Sequence, residues 1–246
     1  MNSIKATARY AGLLYVVMSI LMVFGYMYVP AKFMVPGDAA ATAVKITQGE
    51  LLYRGSILIA LIGQVLFLFV VLALYQLFKD VDRAQARLMV VLVCVGVAAE
   101  LVVIANRLAP LLLLGGAGYL SAFTRPQLEA LAFGFLRLGG NLGQVLTVFW
   151  GLWLFPFGIL TIKSGFFPRF LGYLLFASGI GYVVTGSTFV VLPAQLHVVS
   201  RFMSPLYFGE VAIVLWLAIL GAKVPREALQ PAPAHAERAE RAHRPD

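Results

Sequence analysis

Six runs of apolar residues, at positions 11–29, 51–78, 88–114, 128–162, 170–192 and 205–222, constrain this chain more than any other feature. Each is close to or beyond the roughly 20 residues a helix needs to cross a hydrocarbon core. Each is also closed by charges, prolines or loop residues. Lipid offers no partner for a backbone amide, so a spanning segment must satisfy its own, as helices and closed barrels do. The alternating ten-residue pattern of barrel strands is missing, and the expected fold is therefore all-α: a polytopic membrane protein with six transmembrane helices. A content of 61% hydrophobic against 12% charged residues, with a mean hydropathy of +0.90, lies far outside the range of soluble domains.

The positive charges indicate how the chain is threaded. With six spans the N-terminus, the second-to-third and fourth-to-fifth loops and the C-terminus share one side, which carries Lys5, Arg9, Lys79, Arg83, Arg87, Lys163, Arg169, Lys223 and Arg226. The opposite loops hold Lys32, Lys45, Arg125 and Arg201, so both termini are expected in the cytoplasm, N-in and C-in. The net charge of +8 then reports topology, and no nucleic-acid partner is expected. The first span is longer than a signal-peptide core and lacks a cleavage site after Val29, so it reads as a retained helix. The single Cys94 excludes an internal disulfide. Residues 223–246, rich in Ala, Pro, Glu and Arg, are expected to form a disordered cytoplasmic tail.

Five segments, "TARYAGLLY" from Thr7, "GDAAATAVKI" from Gly37, "ELLYRGSI" from Glu50, "ALYQLFK" from Ala73 and "KSGFFPRFLGYLL" from Lys163, occur in an order and spacing of their own. Together they resemble a family of small bacterial membrane proteins catalogued as domain of unknown function 4386. The resemblance covers roughly Lys5 to Lys223. It implies a shared fold and the bacterial inner membrane, and it implies no reaction and no catalytic residues.

Polar residues inside the spans are the candidates for function. Arg137, Asn141 and Gln144 follow i, i+4, i+7 spacing, within about 60° of one another on a helix. Glu100 and Arg107 share a face of the third span, Glu210 lies on the sixth, and Arg54 stands at the outer start of the second. Counting rise along the helices places both carboxylates at similar depth, in the outer third of the membrane. The sequence thus predicts an outward-facing polar pocket built from Glu100, Glu210, Arg54, Arg107, Arg137, Asn141 and Gln144. Its spare positive charge suits a small anionic or lipidic ligand, because the guanidinium fork matches carboxylate and phosphate. The plainer reading is a set of Arg–Glu pairs that hold the helices together.

Other readings draw less support. His197 is the only histidine within the membrane region, so a His-based metal or haem site is not expected; nor is a cofactor. No Walker loop or rhomboid-type serine motif occurs, and enzymatic activity is disfavoured. A transporter built on a three-plus-three inverted repeat would place its two acids at inverted depths, which the counting does not support. A homo-oligomer stays open. Gly172, Gly179 and Gly186, seven apart, predict a close-packed seam, and Trp150 and Trp153 predict an aromatic belt on the cytoplasmic side.

Overall fold

In the computed structural model, which describes residues 2–223, six helices are long and apolar enough to cross a membrane: Ile4–Phe33, Glu50–Phe78, Arg83–Leu114, Arg125–Ser164, Arg169–Val191 and Pro193–Ile219. No strand occurs among the described residues. The tail expected from residue 223 falls, from 224 onward, outside them. Four spans are interrupted. The first comprises α1 (Asn2–Met22), a π-helical turn (Val23–Tyr28) and α2 (Val29–Phe33). After a short α3 (Ala39–Gln48), the second is the unbroken α4 (Glu50–Phe78). The third is α5 (Arg83–Asn106) with α6 (Ala109–Leu114), and the fourth is α7 (Arg125–Leu152) with α8 (Leu154–Ser164). The fifth is α9 (Arg169–Val191). The sixth joins a 3₁₀ turn at Pro193–Gln195, α10 (Leu196–Met203), a second 3₁₀ turn (Ser204–Tyr207) and α11 (Phe208–Ile219).

Local chemistry sets these boundaries. Asp38 caps α3 by accepting from the Ala41 amide at 2.8 Å, and Thr124 with Gln127 forms a capping box at the start of α7. Gly165 takes φ 66°, a left-handed conformation that only glycine adopts without strain, and turns the chain from α8 towards α9. Pro110 has no amide to offer the carbonyl of Asn106, and α5 ends at that residue.

Consecutive spans are neighbours, and the last packs back against the first, so the six close into a ring. At one end the Arg9 guanidinium donates to the Ile219 carbonyl, and Lys163 bonds Asp82 at 2.7 Å across the α4–α5 turn. That ammonium, helped by the Gln85 amide, holds the exposed Asp82 carboxyl below the ordinary carboxylate range. We call this the terminal face and the opposite end, which carries α3, the distal face.

The ring is filled unevenly. Its terminal half holds a continuous core in which Phe67, Trp153, Phe157 and Phe78 stack or meet edge to face and Tyr15 packs tilted against Phe67 and Trp153. Trp153 is 1% exposed, so it is a core plug and not part of a lipid-facing belt. Helical periodicity could not have said which way its ring turns. The glycine seam takes the expected form: a Cβ on Gly179 would stand 2.9 Å from the Gly151 carbonyl, and one on Gly172 2.9 Å from the Gly158 carbonyl. The distal half has only a small cluster around Val29, Phe33, Ile46, Tyr53 and Ile104. Between the two clusters lies open space.

Candidate functional site

Three adjoining cavities open within the ring and between two of its helices, and the helix interruptions shape them. At the distal end a cavity of about 460 Å³ is lined by Tyr26, Tyr53, Glu100, Asn106, Arg107 and Gln144, among others. It shares Tyr26, Met27, Glu100, Gly143 and Gln144 with an axial cavity of about 480 Å³, which descends to Trp150, Trp153 and Glu210. The axial cavity in turn shares Met18, Met22, Val23, Tyr182 and Glu210 with a lateral cavity of about 720 Å³ between α1 and α11.

Arg107 is fixed by the π turn. There the Val29 amide bonds the Phe24 carbonyl, one residue further back than in an α-helix. The Gly25 carbonyl has lost Val29, and Pro30, next in line, has no N–H. Arg107 Nη1 fills the vacancy at 2.8 Å. Its guanidinium lies 4.4 Å from the centre of the Tyr26 ring, a cation–π contact, and the Tyr53 hydroxyl donates to its backbone carbonyl at 2.9 Å. The charge is therefore held in place without a carboxylate partner: among the described residues Arg107 makes no ion pair.

The two acids sit in different surroundings. Glu100 is 4% exposed, and its Oε2 has no hydrogen-bond partner among the described residues. Beside it Gln64 donates to the Tyr26 hydroxyl at 3.1 Å and leaves its own Oε1 buried and without a partner among the described residues. Glu210 accepts a hydrogen bond from the Tyr15 hydroxyl. Tyr182, which lines the same cavity, stacks on Tyr207 with ring centres 4.3 Å apart. Neither carboxylate has an ion-pair partner among the described residues.

Of the seven side chains expected to converge, Glu100, Arg107 and Gln144 line the distal cavity, and Glu100, Gln144 and Glu210 line the axial one. The other three lie elsewhere. Arg54 is exposed and pairs with Glu50 one turn back on its own helix, at 2.7 Å. Arg137 and Asn141 are exposed and line neither cavity. On α7 the cavity face is set by Leu136, Gly140, Gly143 and Thr147, from which Arg137 and Asn141 are turned by roughly 90° and 130°. Only Gln144 lies near enough its edge to take part. Spacing establishes azimuths relative to one another; the neighbouring helices decide which of them faces inward.

The depths also differ from expectation. The sixth span begins at Pro193, not Pro205, so Glu210 follows 17 residues, about 26 Å, of helical chain and lies in the terminal half. The tyrosines beside the two acids, Tyr15 and Tyr26, are eleven residues apart on the first span, about 16 Å along its axis. The carboxylates thus stand in series along the axial cavity. Gln64 and Tyr182 escaped the sequence reading, and Tyr15 and Tyr26 read there as part of a packing face. Gly12, Tyr15, Ser19, Met22 and Tyr26 do mark one face of the first span, but such a stripe serves equally well for packing.

The family model described as domain of unknown function (DUF4386) matches residues 10–221. A stretch of 77 residues, 31% of this chain, is 36% identical to an uncharacterized protein of the archaeon Archaeoglobus fulgidus; it covers 44% of that protein, under half its length. No solved structure matches.

Proposed function

The chain belongs to the DUF4386 family, which supplies a fold and no reaction, and we propose from its own geometry that it is a membrane-embedded binding protein for a small anionic or lipidic ligand. The ligand's negative group meets Arg107 in the distal cavity, with Glu100 and Gln144 as polar contacts deeper in. One observation carries this reading: a guanidinium anchored by a backbone carbonyl and an aromatic face, lining a cavity of about 460 Å³, with no acid paired to it. Such preorganisation lowers the ordering cost of binding, and the remaining N–H groups point the charge at carboxylate or phosphate. The alternative, in which Arg–Glu pairs clamp the helices, has little support, since among the described residues the arginine–carboxylate pairs, Arg54–Glu50 and Arg125–Glu129, lie within single helices.

The setting we propose is the cytoplasmic membrane of a bacterium with both termini inside, which makes the distal face extracytoplasmic. The positive charge gathered at the terminal face supports that orientation. A carrier would also require the aromatic plug around Trp153 to open. Native mass spectrometry on gently extracted protein tests the binding reading. Wild type is expected to retain a ligand that Arg107→Gln loses and Arg107→Lys keeps in part. Equal retention by wild type and Arg107→Gln would sink it.

A further inference from the structure

The axial cavity has a different chemistry from the distal one. Among the described residues its lining includes two carboxylates, Glu100 and Glu210, and no Lys, Arg or His. Two buried acceptors on that lining, Glu100 Oε2 and Gln64 Oε1, lack donors among the described residues, and the side chains that carry them are 4% and 2% exposed. Buried acceptors without donors are costly, so the lining favours an occupant that brings N–H groups and positive charge. Aromatic rings complete the site. Phe67, Trp150, Trp153 and Tyr182 line the same space, and ring faces attract a cation. At the deep end the cavity reaches the lateral one, where Glu210 and the stacked Tyr182–Tyr207 pair stand among aliphatic side chains.

The shape of the lateral cavity follows from α1 and α11. At the terminal end the helices touch so closely that a Cβ on Gly12 would collide with the backbone of Leu217 and Ala218. Towards the distal end the second 3₁₀ turn carries Pro205 and Phe208 away from Ile20 and Val23, and the gap widens to about 720 Å³. A carboxylate among tyrosines, in an apolar cleft that continues into a cavity whose charged lining residues are both acids, matches an aliphatic ammonium ion: the head against Glu210 or Glu100, the tail in the cleft.

We propose that the axial cavity is a second binding site, selective for protonated aliphatic amines, with Glu210 and Glu100 as counter-charges. It shares Glu100 and Gln144 with the distal cavity but includes Glu210 and not Arg107, so the Arg107 and Glu210 variants tell the failure of one proposal from the failure of the other.

The test uses full-length protein in phosphatidylcholine nanodiscs, titrated with octylammonium or with octanol as its uncharged counterpart, and read through the fluorescence of Trp150 and Trp153. Octylammonium is expected to give a saturable change and octanol none. Loss of a charge-assisted partner should weaken the amine roughly tenfold in Glu210→Gln and in Glu100→Gln. Arg137→Gln, outside the cavity, should bind as wild type. Octanol matching octylammonium, or both Gln variants folding and binding like wild type, would overturn the proposal. If Glu210→Gln does not fold, the amine-to-alcohol comparison on wild type decides by itself. Two further variants identify the entrance. Val211→Trp obstructs the lateral cleft, and Gly140→Leu fills open space at the distal cavity. Slower association in the first marks an amine drawn from the bilayer; slower association in the second marks one drawn from the aqueous side. No slowing in either counts against the cavity as the site.

Discussion

The carbonyl of Gly25 shows how much one residue's hydrogen-bond balance decides here. A π turn takes its usual donor, a proline withholds the substitute, and an arginine 82 residues away fills the gap. The two acids differ by the same logic. Glu210 is bonded by Tyr15, so Tyr15→Phe should leave a half-buried carboxylate oxygen unsatisfied and cost about 1 kcal/mol. Glu100 Oε2 has no such partner to lose, and Glu100→Gln should leave the thermal midpoint in detergent unchanged or raised. Fluorimetric melting of both variants checks the pair. An equal drop for both would mean that Glu100 is bonded in a way the geometry does not show.

At the scale of elements, small residues place α7, α8 and α9 against one another, and helix interruptions open the interior. Gly151 and Gly179 let two backbones approach so closely that an added Cβ on Gly151 would lie 2.6 Å from the Gly179 carbonyl. Backbone cannot step aside as the end of a side chain can, so Gly151→Leu is expected to cost about 1 to 3 kcal/mol or to prevent assembly. Gly143, with nothing within 4 Å of its added Cβ, should accept alanine with little change. Size-exclusion profiles and melting curves of the two variants make the comparison. The seam was legible because three glycines recur every seven residues on one span. The cavities were not: a π turn and the 3₁₀ turn at Ser204–Tyr207 have no reliable signature in composition or period, yet they set where Arg107 and Glu210 end up.

For the whole molecule, an even number of spans and the bias of positive charge lead to one expectation. On a Cys94→Ser background, a cysteine at Asp38 should react with a membrane-impermeant maleimide on intact cells, and one at Asp80 only after permeabilisation. The reverse pattern would invert the orientation and turn the distal cavity towards the cytoplasm. The sequence by itself determined that the chain is helical, that six segments can cross a membrane and which glycines pack closely, because these depend on length, apolar content and period along the chain. The choice among its polar residues belonged to the tertiary structure. Arg54, Arg137 and Asn141 are as charged or polar as Arg107 and Gln144, and only the closing of the ring turned some inward and the others out. Azimuth and depth are set by neighbouring helices and by breaks in the helical ladder, and one-dimensional spacing carries neither.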